Sequence, residues 1–346
     1  MYETRILTIG YDAIIEASDL LKKGEVVAIP TETVYGLAAD AKNDKAIKKI
    51  FTAKGRPNDN PLIVHIHSIN QVDEFAESIG TKAKQLMKEF WPGPLTLVMK
   101  KKDGVSDILT AGLPTVALRM PQHPVAFSIL EQSGLALAAP SANISGRPSP
   151  TSAEQVLEDM NGKIPVIVDG GSCEIGLEST VLDVSVDPPC ILRPGAVTKE
   201  MIEELIGLVN LDRSILEPLE EGADAKSPGM KHKHYAPNAE IEIVKGVEVS
   251  VSRYVNRQML KDHTDGIRSV VLCCKEHARN YPFDKIILGS IHHPETVAEN
   301  LFFSLREIDK GNYEKAYVQF YETGGINIAI MNRLLKAASH NVVDVG

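Results

Sequence analysis

The first 207 residues alternate short apolar runs with amphipathic segments, a pattern typical of α/β proteins. The predicted helices repeat apolar residues every three or four positions, and several are followed by glycine. The predicted strands are EVVAIP (25–30), LTLVM (95–99), TVALRM (115–120), LALAAP (135–140) and PVIVDGG (165–171). The predicted helices are DAIIEASDLLKKG (12–24), TKAKQLMKEFW (81–91), PVAFSILEQSG (124–134) and SAEQVLEDMNG (152–162).

This alternation is lost over residues 208–238, where LEPLEEGADAKSPG is acidic and contains glycine and proline, as linkers do. It resumes from about residue 239, and a predicted helix over 295–310 places four apolar residues on one stripe. We therefore predict three parts: an α/β domain over 1–207, a linker over 208–238 and a small parallel Rossmann-like α/β domain over 239–346. The later predicted strands are IEIV (241–244), SVVLCC (269–274), KIILGS (285–290) and AYVQFY (316–321), and the stripe is Val297, Leu301, Leu305 and Ile308.

Composition narrows the class of protein. With 43% hydrophobic and 24% charged residues among 346, the chain has the composition of a soluble globular protein. We find no apolar run of about 20 residues and no secretory signal pattern. The four cysteines form neither a disulfide framework nor a CxxC pair, which favours the reducing cytoplasm. A net charge of −9 argues against general nucleic-acid binding, so any anion site is a local basic pocket.

Common nucleotide and hydrolase motifs are absent from the sequence. We find no GxxxxGK[ST] or GxGxxG loop, and no HExxH or GxSxG motif. If the protein binds a nucleotide, it does so through a less common type of phosphate-binding site.

The segment AKGRPNDNPLIVHI (53–66) is the first candidate for an anion site. A helix-like pattern, DKAIKKIFTAKG (44–55), runs into a loop in which Pro57 and Pro61 hold Arg56 and Asn60 extended. Lys54 and Arg56 are two residues apart, so in an extended segment both could converge on one anion. A solvated basic turn is the alternative. His65, between two apolar residues, is by default a hydrogen-bonded core histidine.

Two further candidates follow predicted strands. PTETVYGL (30–37) supplies Thr31 and Thr33 at a strand's carboxyl end, where open α/β sheets bind ligands. Strand alternation places Arg119 of TVALRM on the same face as Thr115. Arg119 either pairs with a structural carboxylate or projects into a cavity, and the sequence favours neither.

Another group of polar residues lies in APSANISGRPSPTSAEQV (139–156). Ser141 and Asn143 offer uncharged hydrogen-bonding groups, and Ser149 and Thr151 precede a predicted helix whose N–H groups could meet an anion. Ordinary helix capping explains part of this pattern. ESTVLDV (178–184) and ILRPG (191–195) add Ser179 and Arg193.

Taken in order, these segments closely resemble the sequence motifs of the YrdC-domain family. The matching segments are TETVYGL, AKGRPNDNPLIVHI, WPGPLT, TVALRMP, APSANISGRPSPT, GLESTV and LRPGA. SPGMKHKHYAP (227–237) and the terminal unit are similar to the family's two-domain members, the threonylcarbamoyl-AMP synthases. The resemblance implies a twisted α/β sheet around a basic cavity. It also implies a nucleotidyltransferase that combines L-threonine, bicarbonate or carbon dioxide, and ATP into threonylcarbamoyl-AMP and pyrophosphate.

The resemblance also implies site residues and partners. Mg²⁺ would accompany ATP, since no Asp/Glu cluster suggests a protein metal site. A separate transferase complex would pass the group to the adenosine next to the anticodon of ANN-decoding tRNAs, so tRNA contact is indirect; no membrane is involved. Threonine or its carbamate would meet Thr33, His65, Ser141 and Ser179. ATP would meet Lys54, Arg56, Asn60, Thr115, Arg119, Asn143, Thr151, Arg193 and Tyr235, with Lys54 and Arg56 catalytic.

SPGMKHKHYAP is expected to be a lid whose Tyr235 and a basic neighbour meet the nucleotide. A metal site is disfavoured because His232 and His234 have no further ligand close in sequence; a solvated basic tail is the other alternative. Two rival functions stay open: a non-catalytic RNA-binding factor in translation or ribosome maturation, and a carbamoyl-adenylate enzyme that uses another amine, such as serine.

Overall fold

The computed structural model describes residues 2–217, 235–322 and 324–346. The chain forms two compact units. Of the described residues, the first unit contains 2–145 and Ser149–Ile215, and the second contains Gly146–Pro148, 216–217 and those from 235 onwards. The predicted linker over 208–238 falls largely outside the described residues, so its bounds stay a prediction. Within the described ranges, no helix is both long and apolar enough to span a bilayer.

The first unit is built on a mixed sheet whose order is β1-β8-β2-β3-β7-β4-β6-β5-β9-β10-β11. The predicted strands are confirmed, and both faces of its central strands are buried. The strands are β1 (Arg5–Thr8), β2 (Val27–Ile29), β3 (Gly36–Asp40), β4 (Ile63–His65), β5 (Leu95–Lys100), β6 (Thr115–Arg119), β7 (Leu137–Ala138), β8 (Val166–Asp169), β9 (Thr180–Asp183), β10 (Cys190–Arg193) and β11 (Asn210–Leu211).

Helices of the first unit begin and end where local chemistry dictates. The Asn43 side chain accepts hydrogen bonds from the first turn of the helix that carries Lys54, and Gly55 ends that helix in the left-handed conformation, with φ of 60°. The four predicted helices are confirmed. The helices are α1 (Tyr11–Lys22), α2 (Asp44–Lys54), α3 (Thr81–Phe90), α4 (Asp107–Thr110), α5 (Pro124–Ser133), α6 (Ala153–Met160) and α7 (Lys199–Ile206).

The sheet register brings several of the candidate residues to one edge. Parallel strands β4 and β6 pair His65 with Arg119, and both residues end their strands. Ser179 directly precedes β9, while Arg193 ends the antiparallel neighbour β10, where it pairs with Val181. Strands that end at a common edge direct these polar side chains to a shared region.

The second unit is a five-stranded parallel sheet in the order β14-β13-β15-β12-β16, with helices between the strands. The predicted small parallel α/β fold is confirmed, and the apolar stripe predicted on its second long helix is buried. Its strands are β12 (Glu240–Lys245), β13 (Ser269–Cys273), β14 (Lys285–Ile287), β15 (Lys315–Gln319) and β16 (Val342–Asp344), and its helices are α8 (Glu248–Thr264), α9 (Pro294–Lys310) and α10 (Asn327–Ala337).

Close approach of backbone segments beside β9 predicts that Gly195 tolerates no side chain. A Cβ atom at Gly195 would lie 2.5 Å from the Thr180 nitrogen and 2.8 Å from the Glu178 oxygen, both backbone atoms. Gly195→Ala should therefore lower the free energy of unfolding by about 1–3 kcal/mol, the usual range for overpacking. Urea unfolding followed by circular dichroism measures this. The control is Gly80→Ala, where a Cβ meets nothing within 4 Å; equal losses in both variants would contradict the prediction.

Candidate active site

Arg119 is held at the end of β6 by three partners. Its Nε donates to the Gly93 carbonyl at 3.2 Å, its Nη1 donates to Thr33 Oγ1 at 2.9 Å, and its Nη2 lies 2.7 Å from Glu32 Oε1. Both charged side chains of this ion pair are buried, at 4% and 5% exposure. Of the two alternatives left by the sequence, the structure therefore shows pairing with a carboxylate.

The threonine turn before β3 forms a directed chain of hydrogen bonds. Thr31 donates its one hydroxyl proton to the Val34 carbonyl at 2.6 Å, so in its 2.8 Å contact with Thr33 it must accept. Thr33 thus donates to Thr31 and accepts from Arg119. Its remaining lone pair can accept a hydrogen bond from a ligand.

Ser179 and Arg193 lie together beside this edge. Arg193 Nε donates to the Ser179 carbonyl at 3.0 Å, and its Nη2 donates to Ser179 Oγ at 3.1 Å. Ser179 Oγ is also 2.8 Å from Thr96 Oγ1. The second arginine is therefore fixed by the residue that the sequence predicts at the threonine pocket.

His65 is buried between these groups and is uncharged at neutral pH. Burial, with the Arg119 charge, lowers the pKa of His65 to about 3. Its Nδ1 lies 3.3 Å from the Ile63 carbonyl, which assigns the ring proton to Nδ1. Nε2 is then a hydrogen-bond acceptor, so His65 suits a donor such as an amine or hydroxyl better than an anion.

Lys54 occupies a second location, against the turn that follows β7. Its Nζ donates to the carbonyls of Ser141 and Asn143, the latter at 2.8 Å, and lies 3.3 Å from Asn143 Oδ1. Three oxygen atoms thus surround the ammonium. Burial, with the nearby Arg56 charge, holds the pKa of Lys54 well below its ordinary value.

The helix expected over residues 44–55 is confirmed as α2, which ends at Lys54 with Gly55 as its cap. Lys54 is therefore helical and does not share an extended segment with Arg56. Arg56 follows, half-buried, with its Nη2 donating to the Asn60 carbonyl at 3.1 Å. The charge of Arg56 adds to burial in lowering the pKa of Lys54.

Thr115 begins β6 and Arg119 ends it. With a rise of about 3.3 Å per residue, their Cα atoms are about 13 Å apart. The register of β4 with β6 runs from Ile63 opposite Ala117 to His65 opposite Arg119, so Thr115 lies beyond the paired residues of β4. Arg119 therefore lies with His65 and Thr115 lies at the opposite end of the strand, although the family resemblance assigns Thr115 and Arg119 to the same ligand.

The start of α6 shows the capping chemistry that the sequence allows. Thr151 donates its backbone N–H to Gln155 Oε1 at 2.8 Å, and Ser152 caps the helix. Ser149 donates to Glu178 Oε1 at 2.6 Å, and both are buried. The Thr151 N–H is thus already bonded within the protein.

Tyr235 belongs to the second unit and is buried. Its ring centroid lies 5.1 Å from that of Phe302, and the Arg333 guanidinium carbon is 5.8 Å from its centroid. Residues 227–234 of the predicted lid, including His232 and His234, lie outside the described residues. A contact of Tyr235 with a nucleotide stays a prediction.

Sequence reasoning missed the partners of the basic residues. Glu32 binds Arg119 and Thr96 binds Ser179. Glu32 carried a usable signal, since it is the one charged residue from Val26 to Leu37, and a charge within so apolar a stretch requires a partner. Thr96 carried none, because threonine is common in strands.

The site contains basic groups and neutral hydrogen-bonding groups, which suit an anionic ligand. Over residues 2–217, 235–322 and 324–346, no three His, Cys, Asp or Glu side chains are grouped to hold a metal ion.

Comparison with known proteins finds similarity along nearly the whole chain. Residues 19–195 match the family model described as "Telomere recombination", and residues 197–339 match "Threonylcarbamoyl-AMP synthase, C-terminal domain". The threonylcarbamoyl-AMP synthase of Bacillus subtilis is 47% identical, over 95% of this chain and 94% of its own. That of Pyrococcus abyssi is 44% identical, over 95% of each chain.

A solved structure is similar to both units. The crystal structure of P. abyssi Sua5 complexed with L-threonine superposes with a TM-score of 0.92, at 41% identity and over 99% of each chain. The predicted family and fold class are thereby confirmed.

The environment of His65 predicts its titration. The imidazole signals of His65 should stay those of the neutral ring from pH 7.5 to pH 5, because its pKa is about 3, whereas an unperturbed histidine with a pKa near 6.5 becomes protonated. NMR of ring-labelled protein, assigned with His65→Asn, measures this.

The sign of the linked stability follows. The pKa of His65 is lower in the folded protein than in the unfolded chain. The contribution of neutral His65 to the free energy of unfolding is therefore complete above about pH 6.5 and decreases as the pH falls towards 3. Titration of the His65 ring near pH 6.5 would contradict the assignment of a buried, neutral imidazole.

Proposed function

The chain belongs to the threonylcarbamoyl-AMP synthase family, and we propose that it makes threonylcarbamoyl-AMP and pyrophosphate from L-threonine, bicarbonate or carbon dioxide, and ATP. This makes it a nucleotidyltransferase. The observation that supports it most is the agreement along both units with a threonine-bound relative, together with the arginines held at the sheet edge. The same comparisons favour this activity over a non-catalytic RNA-binding factor.

The chemistry needs binding and charge stabilisation more than a nucleophilic side chain. The threonine amine, after losing a proton, forms an N–C bond with carbon dioxide to give a carbamate. A carbamate oxygen then attacks the α-phosphorus of ATP, and the bond to pyrophosphate breaks. Both reactants are anionic, so fixed cations lower the barrier by opposing their repulsion and by stabilising the leaving group.

We assign the two reactants to the two locations described above. Threonine and its carbamate would contact Thr33, His65 and Ser179, whose acceptors suit an amine and a hydroxyl. ATP would lie towards Lys54, Arg56, Asn60 and Thr115.

Four residues complete this assignment. The family resemblance places Arg119 and Arg193 at the nucleotide, but they bond directly to Thr33 and Ser179, so we assign them to threonine and its carbamate. The carbonyls of Ser141 and Asn143 hold Lys54, so we assign these two residues to the region where the carbamate meets ATP. Thr151 and Tyr235 keep their expected nucleotide role as proposals.

Lys54 would act in either of two ways. It can exchange one of its three oxygen partners for a phosphate oxygen, or it can act by fixing the Ser141–Asn143 turn. Mg²⁺ would enter with ATP and neutralise its phosphate charge. The residues fit this arrangement because Lys54 and Arg56 would supply positive charge towards the triphosphate.

We further propose that the product passes to a separate transferase complex that modifies the adenosine beside the anticodon of ANN-decoding tRNAs. Direct tRNA contact is then unnecessary, which agrees with the net charge of −9. Lid closure by the segment before Tyr235 would protect a product that water hydrolyses.

Substrate dependence tests the proposed reaction. Pyrophosphate release from ATP should require both L-threonine and bicarbonate, and it should not require RNA. Serine lacks one methyl group, a difference that fitted pockets discriminate by about 1–3 kcal/mol, or roughly 10- to 200-fold. Equal rates with unrelated amino acids, or an absolute need for RNA, would contradict the proposal.

Removal of one cation tests the charge argument. Arg56→Ala should raise the free energy of the transition state by about 2–4 kcal/mol, which lowers kcat/KM roughly 30- to 900-fold. This is the usual effect of losing one preorganised donor. Folding should be retained, because Arg56 is only half-buried. The control is Arg5→Ala, which removes an exposed arginine paired with Glu16. Near-normal turnover of folded Arg56→Ala would remove this loop from the active site.

A further inference from the structure

Glu32 has a role that the reaction alone does not assign. It lies between Thr31 and Thr33, at 4% exposure, and its carboxylate meets Arg119 Nη2 at 2.7 Å. Its backbone carbonyl also accepts from the Ile175 N–H at 2.9 Å. A buried carboxylate without a cation would be costly, so removing either Glu32 or Arg119 would leave the other as an uncompensated buried charge.

The three partners of Arg119 fix its guanidinium in orientation. Gly93 accepts a hydrogen bond from Nε, Thr33 accepts one from Nη1, and Glu32 forms an ion pair with Nη2, so each nitrogen has a different partner, and the partners lie on two segments of the chain. A guanidinium has five N–H donors, so donors remain for a bound anion. Without Glu32, the group could rotate about its last bonds and would carry an uncompensated buried charge.

Glu32 does not suit proton transfer. Although its burial opposes ionisation, the charge and hydrogen bond of Arg119 hold the pKa of Glu32 below its ordinary value. A carboxylate kept ionised in this way is a weak base towards the threonine ammonium. Its contribution therefore has to come through Arg119.

We propose that Glu32 is a positioning residue, which orients Arg119 against Thr33 so that the remaining guanidinium donors bind the threonine substrate. This inference rests on the proposed function. Threonine rather than ATP is the ligand affected, because Arg119 bonds directly to Thr33 and is paired in register with His65.

Calorimetric titration with L-threonine, without ATP, tests the inference. Glu32→Gln keeps the side-chain shape and removes the charge, and it should weaken threonine binding by at least tenfold. Glu32→Asp keeps the charge with a shorter reach and should restore part of the affinity. Binding of a non-hydrolysable ATP analogue should change by less than threefold in both variants. The control is Glu25→Gln, a carboxylate bound by Lys49 and Tyr2, which should leave both affinities within twofold of the wild type.

Several outcomes would overturn the inference. Threonine affinity of Glu32→Gln within twofold of the wild type, or equal losses of threonine and ATP-analogue binding, would show that Glu32 does not orient the threonine site. Failure of the wild-type protein itself to bind threonine would instead overturn the proposed function, and the inference with it.

A second measurement covers the case in which Glu32→Gln does not fold. In the wild-type protein, ¹⁵N NMR should show separate Nη1 and Nη2 signals for Arg119, assigned with Arg119→Lys, because its partners restrict rotation. A single averaged Nη signal in the free wild-type protein would overturn the inference.

Discussion

The structure of the first unit depends on the hydrogen bonds and the ion pair that its loops form with two buried arginines, Arg119 and Arg193, at the ends of strands. A buried guanidinium is stable only when its donors and its charge have partners. Arg119 takes its partners from the turn before β3 and from the loop before β5, and Arg193 takes its partners from the residue before β9. These contacts tie three loops to one sheet edge, and they leave cations facing a region of neutral hydroxyls.

The length of β6 then separates two chemical environments. One end has Arg119 beside His65, with the threonine turn; Thr115 lies at the other end. A ligand with an amine and a hydroxyl suits the first environment, and we assign the polyphosphate to the cations Lys54 and Arg56. Two anionic reactants held in this way meet in one orientation, which is the larger part of what this reaction requires.

The elements could be predicted from the sequence because their periodicity is strong. The stripe on α9 and the strand TVALRM follow directly from spacing. Lys54 and Ser141 could be named as candidates from the sequence alone, but only the family resemblance favoured a site role over ordinary surface or capping chemistry.

Pairings across the chain could not be predicted. The contact of Glu32 with Arg119 joins residues far apart in sequence, and it depends on the order of strands in the sheet. The helix that carries Lys54 could be predicted, but the contacts of Lys54 with the carbonyls of Ser141 and Asn143 could not. Local pattern defines elements, whereas the sheet order defines neighbours.

The most direct test of the account is the origin of the carbon between threonine and the phosphate. Mass spectrometry of the product formed from L-threonine, ATP and ¹³C-bicarbonate should show an adenylate that carries one labelled carbon and one threonine. An unlabelled threonyl-adenylate would mean direct activation of the amino acid. That product, or an AMP derivative without threonine, would contradict the account.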